Sequence, residues 1–555
     1  MSLTKVTYSM INGSVANVLD YGAVRDGVTD DTTAIQAAID ANPGKIIFMP
    51  RGTYLSSGVS ILTNSTKLVG EGMSFGGTII RPSNTTGNDI TLIGQQSGVY
   101  SILIQPNVKK TNGYGVYVTN NAFRCVVESV SVVQGFNGIG IVNGTQTRIE
   151  NCQVRYLLGV HGIYFSGTNT GGYVGSYRAM INNFEADNPY PFSPQIAAVK
   201  TWASSTAFLQ GDIVNVNGVI WQCSTAGTTG ATSPSGYPGT TAQTVFSESV
   251  VDGTAAWRFV CLNTLFWIVQ DSYSYSLVIN EAALLNGARG FAQIDSAATG
   301  TSYPVWCYAW DLECDHNFLG GVTQFAGENI VLNGSWLGST LNGNGFTAGS
   351  SGRGEIYIGA GTRIMGCAFN GVDINAGPTA IIIDGCFIGI NSNAAAATYH
   401  GISVQANASK FQITNNKIGT LPAIAGNLQA YGIFIAIGTS NEYIISNNNL
   451  IGNTTGGMLD NGTGTTRLLS NNIGFVSQSQ GLAGVTVGNS SVVVTHSLSK
   501  TPLPSGITIT NAAPFVGDSF YLDTTSVTST QFTVRTNSAV ASDQFFAWTA
   551  RIFNS

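Results

Sequence analysis

One short phrase recurs along this chain: a glycine followed by a few alternating apolar residues. Gly115-Val-Tyr-Val, Gly138-Ile-Gly-Ile and Gly162-Ile-Tyr-Phe are spaced by 23 and 24 residues, and Gly371-Val-Asp-Ile, Gly401-Ile-Ser-Val and Gly432-Ile-Phe-Ile by 30 and 31. A second phrase runs between them: Phe411-Gln-Ile-Thr-Asn-Asn-Lys-Ile, Tyr443-Ile-Ile-Ser-Asn-Asn-Asn-Leu and Leu468-Leu-Ser-Asn-Asn-Ile. Short strands at a fixed period of roughly 20–30 residues mark a solenoid, because each unit buries its apolar face only against the next. Helical periodicity is nearly absent from 45 to 480, which excludes βαβ folds and leucine-rich horseshoes. A propeller blade of about 40–45 residues is longer than these units. The expected fold is all-β, a parallel β-helix. Its coils stack at about 4.8 Å, with Val, Ile and Leu ladders inside and asparagines stacked in the turns.

Composition narrows the function. Lys and Arg number 23, Asp and Glu 29, or 9% of 555 residues, against roughly 25% in ordinary soluble domains. No cationic excess exists to neutralise phosphates, so nucleic acid is not an expected partner. No run of 18 apolar residues occurs, so no membrane insertion is expected. Met1 to Asn12 holds one Lys and no apolar core, which predicts synthesis in the cytoplasm without a signal peptide. The eight cysteines form no C-x-x-C and sit mostly in strand-like runs, as small buried hydrophobes do.

A solenoid must cap its ends. Asp30-Asp-Thr-Thr-Ala-Ile-Gln-Ala-Ala-Ile-Asp-Ala-Asn-Pro-Gly predicts a helix, with Asp30 or Asp31 as N-cap, Ile35, Ala38 and Ile39 on one face, and Pro43-Gly44 as its stop. The domains expected are an N-terminal peptide and capping helix over 1–44, β-helix over 45–198, a small inserted β module over 199–262, β-helix again over 263–480, and a C-terminal β-sandwich over 481–555. In the module, Trp202, Trp221 and Trp257 either stack on sugar rings or form its core, since a module this small needs bulky residues to bury.

Because charge is scarce, a cluster of it is informative. Trp306-Cys-Tyr-Ala-Trp-Asp-Leu-Glu-Cys-Asp-His holds Asp311, Glu313 and Asp315 on one face of a strand, with Leu312 and Cys314 on the other. Carboxylates about 6.5–7 Å apart raise the pKa of at least one member. One then serves as acid and another as base or nucleophile, as glycoside hydrolysis requires, and both the retaining and the inverting separations are within reach. Asp295 and Glu328 are candidates to join from adjacent coils. His316 and the platforms Trp306, Tyr308, Trp310 and Trp336 would hold sugar, and Arg289 and Arg353 would pair with acidic sugars. Strict alternation would turn the even-numbered aromatics inward with Leu312; a bulge near Trp310 would reverse this. No calcium-ligand spacing appears, and neither metal nor cofactor is expected.

The run Asn17-Val-Leu-Asp-Tyr-Gly-Ala-Val-Arg-Asp-Gly-Val-Thr-Asp-Asp-Thr-Thr-Ala-Ile-Gln-Ala-Ala-Ile-Asp, followed by Ile46-Ile-Phe-Met-Pro-Arg-Gly-Thr-Tyr, resembles the opening motif of pectate-lyase-like right-handed β-helix proteins. Lys5-Val-Thr-Tyr-Ser-Met-Ile, Asp311-Leu-Glu-Cys-Asp-His-Asn and Ser335-Trp-Leu-Gly-Ser resemble the bacteriophage tailspike branch. The module resembles carbohydrate-binding modules of chitinases and tail proteins, and residues after about 480 resemble tailspike C-terminal domains. The resemblance implies a homotrimer in the virion, joined to the phage tail or another tail protein through its N-terminus. It implies hydrolysis of a bacterial surface polysaccharide (O-antigen, capsule or exopolysaccharide) as an endo-glycosidase. The rivals are a polysaccharide lyase on the same fold and a non-cleaving receptor-binding adhesin.

Overall fold

The computed structural model describes residues 15–170, 173–188, 199–235, 248–294, 305–324, 329–338, 340–349, 355–375, 380–420, 428–512 and 519–552. Among these, parallel strands stack into a solenoid with a 13-stranded sheet on one wall and a 23-stranded sheet folded round two others. Residues 126–142 show one coil. Val126–Val133 is split at Ser129, whose backbone is left-handed (φ +54°), and Asn137–Val142 then returns along the 13-stranded wall. We call the 13-stranded sheet the first wall, the strands before the kink the second, and those after it the third.

The kink repeats. Register stacks Ser101, Ser129, Asn151, Asn183, Glu281 and Asp311 in successive coils, all between φ +49° and +56°. Later coils use the Asn-Asn phrase, with a division of labour between its residues. Asn415, Asn447 and Asn471 take the left-handed kink, a conformation that asparagine tolerates well. The next residues, Asn416, Asn448 and Asn472, point inward and stack. Asn416 Nδ2 donates to Asn448 Oδ1 at 3.0 Å, and Asn448 Nδ2 to Asn472 Oδ1 at 2.9 Å. Each also bonds backbone, as Asn448 N does to Asn472 Oδ1 at 3.1 Å, so these buried amides are hydrogen-bonded as burial demands.

Inside, aliphatic ladders fill the lumen. Val127, Ile149, Ile181, Ile279, Ala309 and Leu332 follow one another in register and are fully buried. The N-terminal end is plugged by the helix Thr32–Ala41, which buries Ile35, Ala38 and Ile39. Asp31 does not cap the helix with its side chain. Its carboxylate instead accepts from Val24 N at 2.6 Å and Arg25 N at 3.1 Å, while Asp30 Oδ1 accepts from Thr32 N at 2.9 Å.

The insertion contains a four-stranded antiparallel sheet built from Ile213–Val216, Val219–Thr225, Ala255–Leu262 and Ser249–Asp252. Trp221 and Trp257 are fully buried there with Phe208 and Phe259, and this core packs on Leu158 of the solenoid. The last residues form two three-stranded antiparallel sheets, a sandwich whose Phe532, Phe546 and Trp548 join the main core. All eight cysteines are buried and unpaired.

Candidate functional site

The strand Val305–Asp315 carries the acidic cluster, and the kink column settles which way it faces. Cys307 and Ala309 are buried, and so are Leu312 and Cys314. The alternation therefore changes phase between them, at Trp310 and Asp311, where Asp311 takes φ +53°. One left-handed residue thus puts Trp306, Tyr308 and Trp310 outside on the second wall and Asp311, Glu313 and Asp315 outside on the third. Trp306 and Trp310 are about half exposed, at 46% and 43%. Tyr308 packs edge-on to Trp306 with ring centroids 6.0 Å apart and stacks on Trp310 at 5.8 Å.

Burial, helped by the neighbouring charges of Asp315 and Asp311, raises the Glu313 carboxyl above its ordinary value. His316 is held above the usual imidazole range because Asp315 bonds it. Its Nδ1 lies 3.0 Å from Asp315 Oδ2, and its backbone N donates to Asp315 Oδ1 at 2.9 Å. Trp336 is the register partner of Glu313, and Arg363 that of Trp336. On the other side Glu313 follows Ala283, which follows Glu185. Glu185 is tied to Arg155 at 2.6 Å and to Gln153 at 2.9 Å. The third wall therefore presents a lane of carboxylates, one with raised proton affinity, beside an aromatic strip. Among the described residues no group of three or more ligating side chains is placed to hold a metal.

Asp295, Glu328 and Arg353 fall outside the described residues. Arg289 is not near the carboxylates: it stands on the first wall, donates to the Asn263 carbonyl oxygen and lies over the Phe266 ring, 5.3 Å from its centroid. Trp221 and Trp257 leave no face for sugar, because the module needs them as its core. Trp202 is half-buried, and its Nε1 donates to Asp252 Oδ2 at 2.8 Å.

Sequence reasoning missed a second constellation, on the first wall. Tyr164 Oη donates to Asp271 Oδ2 at 2.6 Å, and Asp271 is buried. His161 stacks on Tyr164 with centroids 4.3 Å apart, and its Nδ1 lies 3.3 Å from Tyr114 Oη. Tyr117 stacks on Tyr114 at 5.4 Å. Gly140 makes room for them, since a Cβ there would come within 2.7 Å of the Tyr117 ring and 3.0 Å of Tyr114. Asn137 Oδ1 accepts from the backbone N of Val160 and His161, fixing the turn that delivers the imidazole. Burial pulls His161 down to about 4 and raises Tyr114. Arg289 stands two coils further along the same row, through Phe266, about 10 Å away at the strand spacing. His161 reads as a turn residue in the sequence because Asp271 lies 107 positions from Tyr164 and nothing local joins them; the available signal was the repeated Gly-led phrase, which puts Tyr117 and Tyr164 at equivalent outward positions.

A family model described as rhamnogalacturonase A/epimerase, pectate lyase-like, matches residues 15–229. Alginate lyase 7 of Azotobacter vinelandii is 39% identical over 110 residues, 18% of this chain and 12% of that protein. Mannuronan C5-epimerase AlgE2 of the same organism is 35% identical over 115 residues, 18% of this chain and 11% of that protein. The match thus spans little more than a tenth of these curated relatives. Among solved structures, the A-module of A. vinelandii mannuronan C-5 epimerase AlgE4 aligns with a TM-score of 0.50 at 16% identity, over 81% of this chain and 99% of that one. A tailspike protein mutant of E. coli bacteriophage HK620, in complex with hexasaccharide, aligns with a TM-score of 0.51 at 9% identity, over 98% and 96%. The chain has the pectate-lyase-like right-handed β-helix fold. That fold serves alginate epimerases and a tailspike alike, so it does not single out the tailspike branch.

Proposed function

We propose that this protein processes a uronate-containing polysaccharide by proton abstraction, as a lyase or C5-epimerase, at Tyr114, His161, Tyr164 and Asp271. The observation that carries the reading is the Tyr164–Asp271 hydrogen bond beside a neutral imidazole. A phenol that points its proton at a buried carboxylate turns its lone pairs outward. Tyr164 Oη takes the C5 proton next to the uronate carboxylate while its own proton passes to Asp271. Tyr114 or His161 then supplies a proton, either to the departing O4, which leaves a C4–C5 double bond, or to the opposite face of C5, which inverts it. In this reading Arg289 pairs with the carboxylate of a neighbouring sugar. The local similarity to an alginate lyase and mannuronan epimerases supports this chemistry over hydrolysis.

The test is incubation with polymannuronate, alginate and polygalacturonate. Ultraviolet absorbance of the new double bond reads elimination, and proton NMR of the uronate ratio reads epimerisation. New reducing ends without either signal would reject the proposal. They would favour the second reading, hydrolysis at Asp311, Glu313 and Asp315, which the raised Glu313 carboxyl supports.

A further inference from the structure

Two loops meet at the edge of the first wall just before Tyr114, and a lysine is buried between them. Residues 83–89 lead into the strand Ile90–Leu92, and residues 105–113 lead into the next strand of that wall, Tyr114–Val118. Lys110 is 2% exposed and Asp89 1%. Among the described residues Lys110 is the only buried lysine or arginine, a kind of side chain that stays in water unless a partner compensates it. Its Nζ donates to Asp89 Oδ1 at 2.7 Å, to the Gly87 carbonyl oxygen at 3.0 Å and to Asn84 Oδ1 at 3.2 Å. An amine, a carboxyl and a primary amide thus converge on one point.

Two features separate this cluster from an ordinary buried ion pair. One is Asp89 Oδ2, which is buried and has no hydrogen-bond partner. A carboxylate buried for structure uses both oxygens, because an unpaired one has lost its hydration for nothing. The other is the way the loops are zipped together. Thr111 N donates to the Thr85 carbonyl oxygen at 2.8 Å, Asp89 N to that of Tyr114 at 2.9 Å, and Tyr114 N to Asn88 Oδ1 at 3.0 Å. The backbones run so close that a Cβ on Gly113 would overlap the Gly87 carbonyl oxygen. Amine and amide are therefore held in place, which is what an intramolecular reaction gains from. The amide carbon lies one C=O bond, about 1.23 Å, behind the oxygen that Lys110 already touches.

We infer that Lys110 and Asn84 form an isopeptide bond, with Asp89 as the proton carrier. The Lys110 ammonium gives one proton to the Asp89 carboxylate, and the neutral amine attacks Asn84 Cγ to make a C–N bond. As the Cγ–Nδ2 bond breaks, Asp89 passes its proton to Nδ2 and takes the second proton of the amine. One ammonia leaves, Asp89 ends protonated, and nothing is oxidised or reduced. Burial raises the Asp89 carboxyl to about 7, against the pull of Lys110, so both of its forms are populated near neutral pH, as a proton carrier requires. The product holds no ion, which removes the desolvation cost of the buried pair. The bond joins positions 26 apart and fastens successive coils immediately before Tyr114.

The mass of the denatured full chain tests this. The expected value is that of the sequence less one ammonia, about 17 Da, and proteolysis should release one branched peptide joining Asn84 to Lys110. Lys110→Arg keeps the charge but lacks the amine, and should restore the sequence mass. Asp89→Asn should do the same with an unchanged far-ultraviolet spectrum. A parent chain at the full sequence mass overturns the inference. So does a loss of ammonia that persists in Lys110→Arg, the mark of a succinimide at an Asn–Gly pair. A branched peptide that survives Asp89→Asn overturns the role of Asp89. None of these readouts depends on the glycan reaction.

Discussion

Asp311 stacks on Glu281 of the preceding coil, and both residues hold left-handed backbone, φ +53° and +54°. Two like charges are thus fixed one coil apart at a corner that disfavours a Cβ. Glycine adopts this conformation freely, asparagine and aspartate at a smaller cost, and other residues at roughly 1–2 kcal/mol. Asp311→Gly should therefore raise the denaturant midpoint, and Asp311→Val, β-branched in the same conformation, should lower stability by at least that amount. Equal midpoints for the two variants would mean that the kink does not depend on residue 311.

His316 gives a pH signature. Its folded pKa is raised by the hydrogen bond to Asp315, so the charged imidazole is favoured in the folded chain. The resulting stability is fully present below the unfolded value near 6.5 and is lost as pH rises through the raised folded value. NMR titration should find His316 above the ordinary imidazole range, and Asp315→Asn should bring it down. A His316 midpoint unmoved by that substitution would count against the pairing.

Much of this architecture was legible in the residues, for a physical reason. A solenoid repeats its local rules, so glycine-led strands, Asn-Asn turns and the plug helix each announce themselves within a few residues. The outward face of Glu313 followed from Leu312 and Cys314, but the phase change at Asp311 did not. It is set by a column of kinks whose members, Ser129, Asn151, Asn183 and Glu281, are not of one residue type. Long-range assembly was the other obstacle. Asp271 meets Tyr164 only because the insertion between them is looped out, and Arg289 joins the first wall through a register invisible in the local pattern. Glu128 and Glu150 are paired strand residues on the second wall.

The inserted module should depend on one carboxylate. Asp252 Oδ2 accepts from Trp202 Nε1 at 2.8 Å and from the buried Trp257 Nε1 at 3.1 Å. Asp252→Ala leaves a buried indole N–H without its acceptor, a loss of about 1–3 kcal/mol. Trp257→Ala should cost about 3–5 kcal/mol, as large aromatic truncations in cores do. Limited proteolysis should then cut within 199–262 while the solenoid resists. If Trp257→Ala instead kept the module intact and lowered glycan affinity, the tryptophan would be a binding residue after all.

The two candidate sites are separable by a pair of isosteric changes. Tyr164→Phe removes only the hydroxyl that meets Asp271, and the ring remains to stack on His161. Glu313→Gln removes an acid whose ionisation is opposed by burial and by Asp315 and Asp311. For such a group, stability falls as pH rises from the unfolded carboxyl value through the raised folded one. Glu313→Gln should therefore be at least as stable as the parent at neutral pH, and a lost activity cannot be ascribed to unfolding. Under the proton-abstraction reading, Tyr164→Phe lowers kcat by about 100-fold or more, the usual worth of a positioned acid or base, with KM little changed, and Glu313→Gln retains most of the rate. Under hydrolysis the losses exchange places. His161→Gln should further remove any limb of the rate profile near pH 4, where burial has placed the imidazole. Full elimination or epimerisation activity in Tyr164→Phe would remove the first wall from the chemistry.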